Sequence, residues 1–328
     1  MKNRWFFLSA FFIQILCADQ PPAPAKDIPE VHSMPWLTGP LIIPNGVVVP
    51  FGSFEVETYL YFISITGIYD QNWNSISIPN NFFTLNSQIL FYFGLTSWMD
   101  ISITPEFIYN HCLDQNEANF GDLMLSFDFQ LLDPNRIPYF PGIKFTIQEL
   151  FPTGSYQKLD PKKLLTDLTG RGTFATTFNF VLYKVYPLKP RNFLSTTYSM
   201  ACTINTPVDV QGLNAYGGGV GTKGTVLPGN TLEGIVSFEL TMNQNWVIAL
   251  DNIFNYTGEA QFFGVDGITS FNVLNDIRLP SSTQISFAPA IEYNFSENLG
   301  IIGGAWITAW GKNAAQFRGF VISLAYNY

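Results

Sequence analysis

The sequence predicts an all-β chain, a closed transmembrane antiparallel β-barrel of about 12 strands with short turns at one end and longer loops at the other. Three observations predict it. The last nine residues alternate strictly, with Phe320, Ile322, Leu324, Tyr326 and Tyr328 on one face and Val321, Ser323, Ala325 and Asn327 on the other. That is the period of a strand between two unlike surroundings, and it reads as the barrel-closing strand. Charged residues make up 12% of the 328 residues and aromatics 16%, a balance that suits one lipid face and one wet face. Finally, the nearest internal candidate for a membrane helix, residues 81–99, is interrupted by Asn86, Ser87 and Gln88 and alternates in apolarity, unlike a span of about 20 apolar residues.

The elements follow in chain order. Lys2 and Arg4 precede an apolar run, residues 5–16, and Ala18 is a small residue suited to cleavage, so 1–18 reads as a secretory signal peptide. Cys17 invites lipidation, but Leu16 stands where a small side chain is expected, and cleavage after Ala18 is the preferred reading. Residues 19–50 are rich in proline, which rules out a regular helix and discourages ladder pairing. They read as a periplasmic lead, preferably a loosely ordered tail. Residues 41–50 are apolar enough to enter a barrel mouth as a plug. The barrel occupies 51–328.

Twelve strands are expected, near 54–64, 82–94, 98–110, 122–131, 142–151, 172–183, 192–204, 234–242, 246–256, 284–295, 300–310 and 316–328. The third shows both faces: Met99, Ile101, Ile103, Phe107 and Tyr109 against Asp100, Ser102, Thr104 and Glu106. Links after even strands are short. Most links after odd strands are longer, at 67–80, 152–171, 205–230 and 257–280. This asymmetry places both barrel ends on the periplasmic side. Lipid cannot hydrogen-bond a free strand edge, so the first strand must pair with the last.

Several short motifs then carry a resemblance. Phe120-Gly121-Asp122-Leu123 opens the fourth strand, Phe151-Pro152-Thr153-Gly154 follows the fifth, and Ala288-Pro289-Ala290-Ile291-Glu292-Tyr293 lies in the tenth. Together they resemble the outer-membrane barrel family associated with the meta-pathway of phenol degradation and described as a transporter. The resemblance implies a place in the bacterial outer membrane and movement of hydrophobic or aromatic small molecules. It assigns no catalytic residue.

The inward face is expected to carry Glu55, Glu57, Asp100, Glu106, Asp122, Asp128, Glu239, Asp251 and Glu292, with Lys144 and Lys184 as its main cations. Such a wall either wets the interior or favours passing cations through its field. A formal net charge of −9 without a basic stripe excludes nucleic acid as partner. The expected partners are outer-membrane lipid, the barrel-insertion machinery and an unidentified small solute. No cofactor or metal is called for: His111, Cys112 and Asp114 crowd together without a second ligand cluster, and Gly217-Gly218-Gly219-Val220-Gly221 opens no helical pattern. Cys112 and Cys202 read as unpaired thiols. The function expected is passage of small molecules through an acidic polar lumen, without enzymatic chemistry. The alternatives are a non-conducting surface barrel acting as adhesin or scaffold through its outer loops, and a lipid-modifying enzyme centred on His111.

Overall fold

Alternating side chains leave a strand nowhere to go but a two-faced wall, and here that wall closes. The computed structural model of the chain describes residues 36–137, 139–189, 192–268 and 279–328. The expected signal peptide, Cys17 and His32 lie outside the described residues.

The wall begins with β1 (Phe54–Tyr69) and β2 (Ser75–Thr96). The next two staves are each broken once. β3 (Met99–Thr104) and β4 (Glu106–Cys112) flank Pro105, which has no N–H for the ladder. β5 (Gln115–Phe120) and β6 (Leu123–Leu132) flank a kink at Gly121-Asp122, where the Gly121 amide bonds the Glu106 carbonyl at 2.8 Å. β7 (Gly142–Phe151), β8 (Ala175–Lys189) and β9 (Asn192–Asn205) continue the wall. Two short strands, β10 (Val208–Gln211) and β11 (Lys223–Leu227), stand outside it before β12 (Thr231–Thr241) and β13 (Trp246–Thr257). After β14 (Gln261–Val265), again outside, come β15 (Ser282–Asn294), β16 (Leu299–Lys312) and β17 (Ala314–Asn327).

Every wall pairing is antiparallel, and β1 pairs with both β2 and β17, from Glu55 opposite Asn327 to Tyr69 opposite Ala314. The main sheet has 14 segments, and with its two broken staves it makes the twelve-strand barrel. Phe320, Leu324, Tyr326 and Tyr328 of the closing strand are exposed on the outer face, with Ile322 half-buried among them, while Val321, Ser323 and Ala325 are buried inside. One polar side chain on the outer face, Asn252, is satisfied by donating to the Val236 carbonyl at 3.1 Å, as hydrocarbon demands.

Three expectations need correction. The long loop at 67–80 is instead a hairpin, because β1 runs to Tyr69 and β2 starts at Ser75, with Asp70 accepting from Asn72 and Asn74 to fix the tip. The long links at 205–230 and 257–280 hold a second, three-stranded sheet in the order β10-β11-β14, whose core is Val208, Val210, Val226 and Ala260. Lys184 shares the outward face of Leu182 and Tyr186, and its Nζ donates to the Pro134 carbonyl at 2.7 Å, so the strand period removes it from the interior.

Candidate functional site

The inner surface is built from one side chain in two on each strand, and residues 36–50 run across it. Prolines at 40, 44 and 50 supply no N–H and block ladder pairing of this segment, so its remaining backbone donors turn to side chains of the wall. Buried away from water, each needs an acceptor, and the wall supplies carboxylates. The Thr38 amide bonds Glu292 Oε1 at 2.6 Å, and its hydroxyl bonds Asn294 Oδ1 at 2.6 Å. The Ile42 amide bonds Asp251 Oδ2 at 2.7 Å, with the neighbouring amides of Leu41 and Ile43 turned to the same carboxylate. At the far end the Val48 amide bonds Gln130 Oε1 at 3.0 Å and the Val49 amide bonds Asp100 Oδ2 at 2.6 Å.

The segment thus starts on β13 and β15 and ends on β3 and β6. Midway it lies on β8: a Cβ added to Gly46 would fall 2.3 Å from the Tyr183 Cβ. At its end a Cβ on Gly94 would fall 1.9 Å from the Pro50 carbonyl oxygen, so both positions require glycine for the close approach. Leu41 and Ile43 are buried with Ile235, Ala249, Ile253, Ala288, Ala290, Ile302 and Val321. Tyr59, Tyr61 and Trp306 pack against that cluster, their rings 5.7 and 6.3 Å apart in sequence order. The inner wall facing the segment is therefore apolar and aromatic between its carboxylates. Burying each such aliphatic side chain is worth about 1.5–3 kcal/mol.

Each of the ten residues other than Lys184 that were expected on the inward face has a defined place. Glu55 and Glu57 are buried on β1, and Glu239, Asp251 and Glu292 are buried on β12, β13 and β15. Ser195 donates to Glu239 at 2.8 Å and Ser237 to Asp251 at 2.5 Å. Asp100 lies opposite Asp128 in register. Asp128 accepts from the Thr146 hydroxyl and faces the Lys144 ammonium at 3.7 Å, both charges buried. Glu106 accepts from Asn86 at 2.5 Å and Gln88 at 3.1 Å. The carboxylates near the segment are thus chiefly acceptors for backbone and hydroxyl donors.

Asp122 has a different task. Its two oxygens accept the amides of Gly154 at 2.9 Å and Arg171 at 2.8 Å. The Thr153 hydroxyl donates to the Gly121 carbonyl at 2.8 Å, and the Thr169 hydroxyl to that of Phe120 at 2.9 Å. The two motifs 120–123 and 151–154 are one joint, which fastens both ends of the 152–171 loop to the kinked stave. The Tyr216 hydroxyl then donates to the Arg171 carbonyl at 2.8 Å, and burial pushes that hydroxyl up to about 12, keeping it a donor.

Above the crossing segment the loop end of the barrel holds a chamber of about 770 Å³. Arg171 and Tyr216 line it, with Glu233 of β12 and Asn255 of β13 opposite each other on its wall. Neither Arg171 nor Tyr216 carries a sequence signal of this role, since each comes from a loop of irregular pattern. His111 stands on β4 opposite Phe83 and Asn116, and the thiols of Cys112 and Cys202 are free.

No protein-family model matches the sequence, and no curated protein matches it. Among solved structures the chain is similar to the COG4313 outer membrane channel from Pseudomonas putida F1, at 11% identity and a TM-score of 0.65, over 88% of this chain and 100% of that one. It is more loosely similar to the beta domain of the Bordetella autotransporter BrkA, at 7% identity and a TM-score of 0.43, over 85% of this chain and 100% of that one. The fold is that of a bacterial outer-membrane β-barrel.

Proposed function

We propose that the protein is an outer-membrane channel for small molecules whose acidic lumen is closed at rest by residues 36–50. One observation carries this reading: the segment crosses from Glu292 to Asp100 by donating backbone amides to wall carboxylates. No strand depends on the segment, so it can leave without opening the barrel wall. A passage then uncovered would carry the carboxylates of β1, β3, β12, β13 and β15 with Lys144 as their close cation, and would favour cations. The apolar outer face sits in lipid, and the closing strand is what the insertion machinery would engage.

The test is conductance in planar bilayers. Deleting 36–50 should raise it well above that of the intact chain. The reversal potential in a salt gradient should report cations at neutral pH, with the preference fading on acidification. A deletion chain that folds yet stays closed, or an anion preference at neutral pH, rejects the proposal.

A second reading of the solute has its own observation. The stripe of Tyr59, Tyr61 and Trp306 beside Ile302 and Val321 would suit a hydrophobic or aromatic molecule once residues 41–43 withdraw. Membership in the phenol-degradation barrel family belongs to this reading, supported by the joint of its two motifs at Asp122. Uptake of phenol exceeding that of a sugar of similar size would favour it.

A further inference from the structure

The strand register places an unbroken row of hydrogen-bonding side chains around the outer chamber. Gln148 of β7 lies opposite Thr177 of β8, which lies opposite Thr203 of β9. Thr203 lies opposite Thr231 of β12, Thr231 opposite Thr257 of β13, and Thr257 opposite Ser282 of β15. Six neighbouring strands thus each contribute one uncharged polar group along a single register line of the wall. All six are half-buried and line the chamber, so they are reachable from it. Two hydroxyl pairs are in mutual contact, Thr177 with Thr203 at 2.8 Å and Thr231 with Thr257 at 3.2 Å, and in each either oxygen can donate.

A second row one step further in runs from Glu233 to Asn255 to Gln284 on β12, β13 and β15. Within it Asn255 hydrogen-bonds Glu233, and the Gln284 amide nitrogen donates to the Ala315 carbonyl at 2.7 Å, so these groups are held in place on the chamber wall. Arg171 enters from the loop above, its backbone clamped by Asp122 and Tyr216. Among the described residues its guanidinium has no hydrogen-bond or ion-pair partner. Arg171 and Glu233 cancel in charge, which sets this chamber apart from the acidic wall below it.

We propose that the chamber is a binding site for a neutral polyhydroxylated solute of saccharide type. The inference rests on the channel reading but concerns only its outer half. A sugar hydroxyl is at once donor and acceptor, and so are the threonine and serine hydroxyls and the carboxamides that face it. Vicinal hydroxyls match the paired atoms of a carboxamide, carboxylate or guanidinium. A charge-balanced wall gives an ion no advantage. The volume lies within the usual range of small-molecule sites, about 300–1,000 Å³, and Tyr216 offers an aromatic ring on the loop side.

The experiment is isothermal titration of the refolded mature chain in detergent with maltose. Glucose, glucosamine and gluconate follow as a charge series, and phenol as an apolar probe. Maltose should bind, and the double variant Thr203→Val with Thr231→Val should weaken it at least about fivefold, since two hydrogen-bonding hydroxyls are lost. These swaps keep β-branched side chains in the strands, and retained heat-modifiable migration on gels confirms the barrel. Glucosamine and gluconate should bind no more than about threefold tighter than glucose. Absence of maltose binding, an unaffected double variant, binding of either charged sugar more than about threefold tighter than glucose, or binding of phenol alone overturns the inference. Conductance by the chain lacking 36–50 without maltose binding overturns this site and leaves the channel. Maltose binding with no conductance in any variant does the reverse.

Discussion

Leu41→Ala is the sharpest probe of the crossing segment. Leu41 is fully buried against the inner wall, with Ile43, Ile235 and Ile302 in the same cluster. Replacing a buried leucine by alanine costs about 2–5 kcal/mol, the lost transfer energy plus the cavity left behind. The barrel pairing does not involve this residue, so the cost falls on the docked state of the segment alone. Each 1.4 kcal/mol is a factor of ten. The open-to-closed ratio should therefore rise by about 30-fold at the low end and several thousand-fold at the high end. Val47→Ala is the matched control: Val47 is 37% exposed, and its truncation should change the ratio less than about threefold. Single-channel recording of the refolded chains reads open probability directly. If Leu41→Ala stays within threefold of the parent while the 36–50 deletion conducts, the apolar cluster does not hold the segment and the reasoning fails.

Three further outcomes follow from the same geometry. Asp122→Ala removes the acceptor of two loop amides and should cost about 1–3 kcal/mol of loop order, read as faster proteolysis within 158–168 while barrel migration on gels is unchanged. Gly94→Ala places a Cβ against the Pro50 carbonyl and should raise conductance by lifting the end of the segment; unaltered conductance in a folded chain counts against that contact. At the exposed β1–β2 tip, hydrogen bonds from Asn74, led by its side chain, lower the Asp70 pKa below 3.8. A lowered value means that the stabilisation is full above the unfolded value and is lost as pH falls through the folded one. Protection of the Asn72 and Asn74 amides, measured against their intrinsic exchange rates, should thus fall only below about pH 3.8, and a loss of protection beginning near neutrality would contradict the assignment.

Much of the barrel is written in period-two alternation, which is a local signal. Gly142–Phe151 appears in the structure with the bounds read from sequence, and the closing strand shows its apolar face outward as its pattern demands. Elements that escaped lack that signal. β10, β11 and β14 have only four or five residues each, two of them with an internal glycine, too short for a period to register. For residues 36–50 the sequence offered a plug at 41–50 only as the alternative to the preferred loosely ordered tail, and the path across the wall was illegible for another reason. Its partners are remote, Thr38 bonding a residue 254 positions away, and its prolines erase any ladder pattern. The carboxylates were visible as inward residues. Their use as acceptors for a second piece of backbone was not, because nothing near Asp251 or Glu292 in sequence announces a donor.

Residues 51–53 alone separate Pro50 from β1, so a withdrawn segment stays leashed to the rim of its own barrel. A leash this short holds its free end at an effective concentration on the order of millimolar. Re-entry is then a unimolecular event whose rate does not depend on how many barrels share the membrane. Any molecule competing for the inner wall contends with that standing local excess, so a synthetic copy of the segment added at micromolar levels could not displace its tethered counterpart.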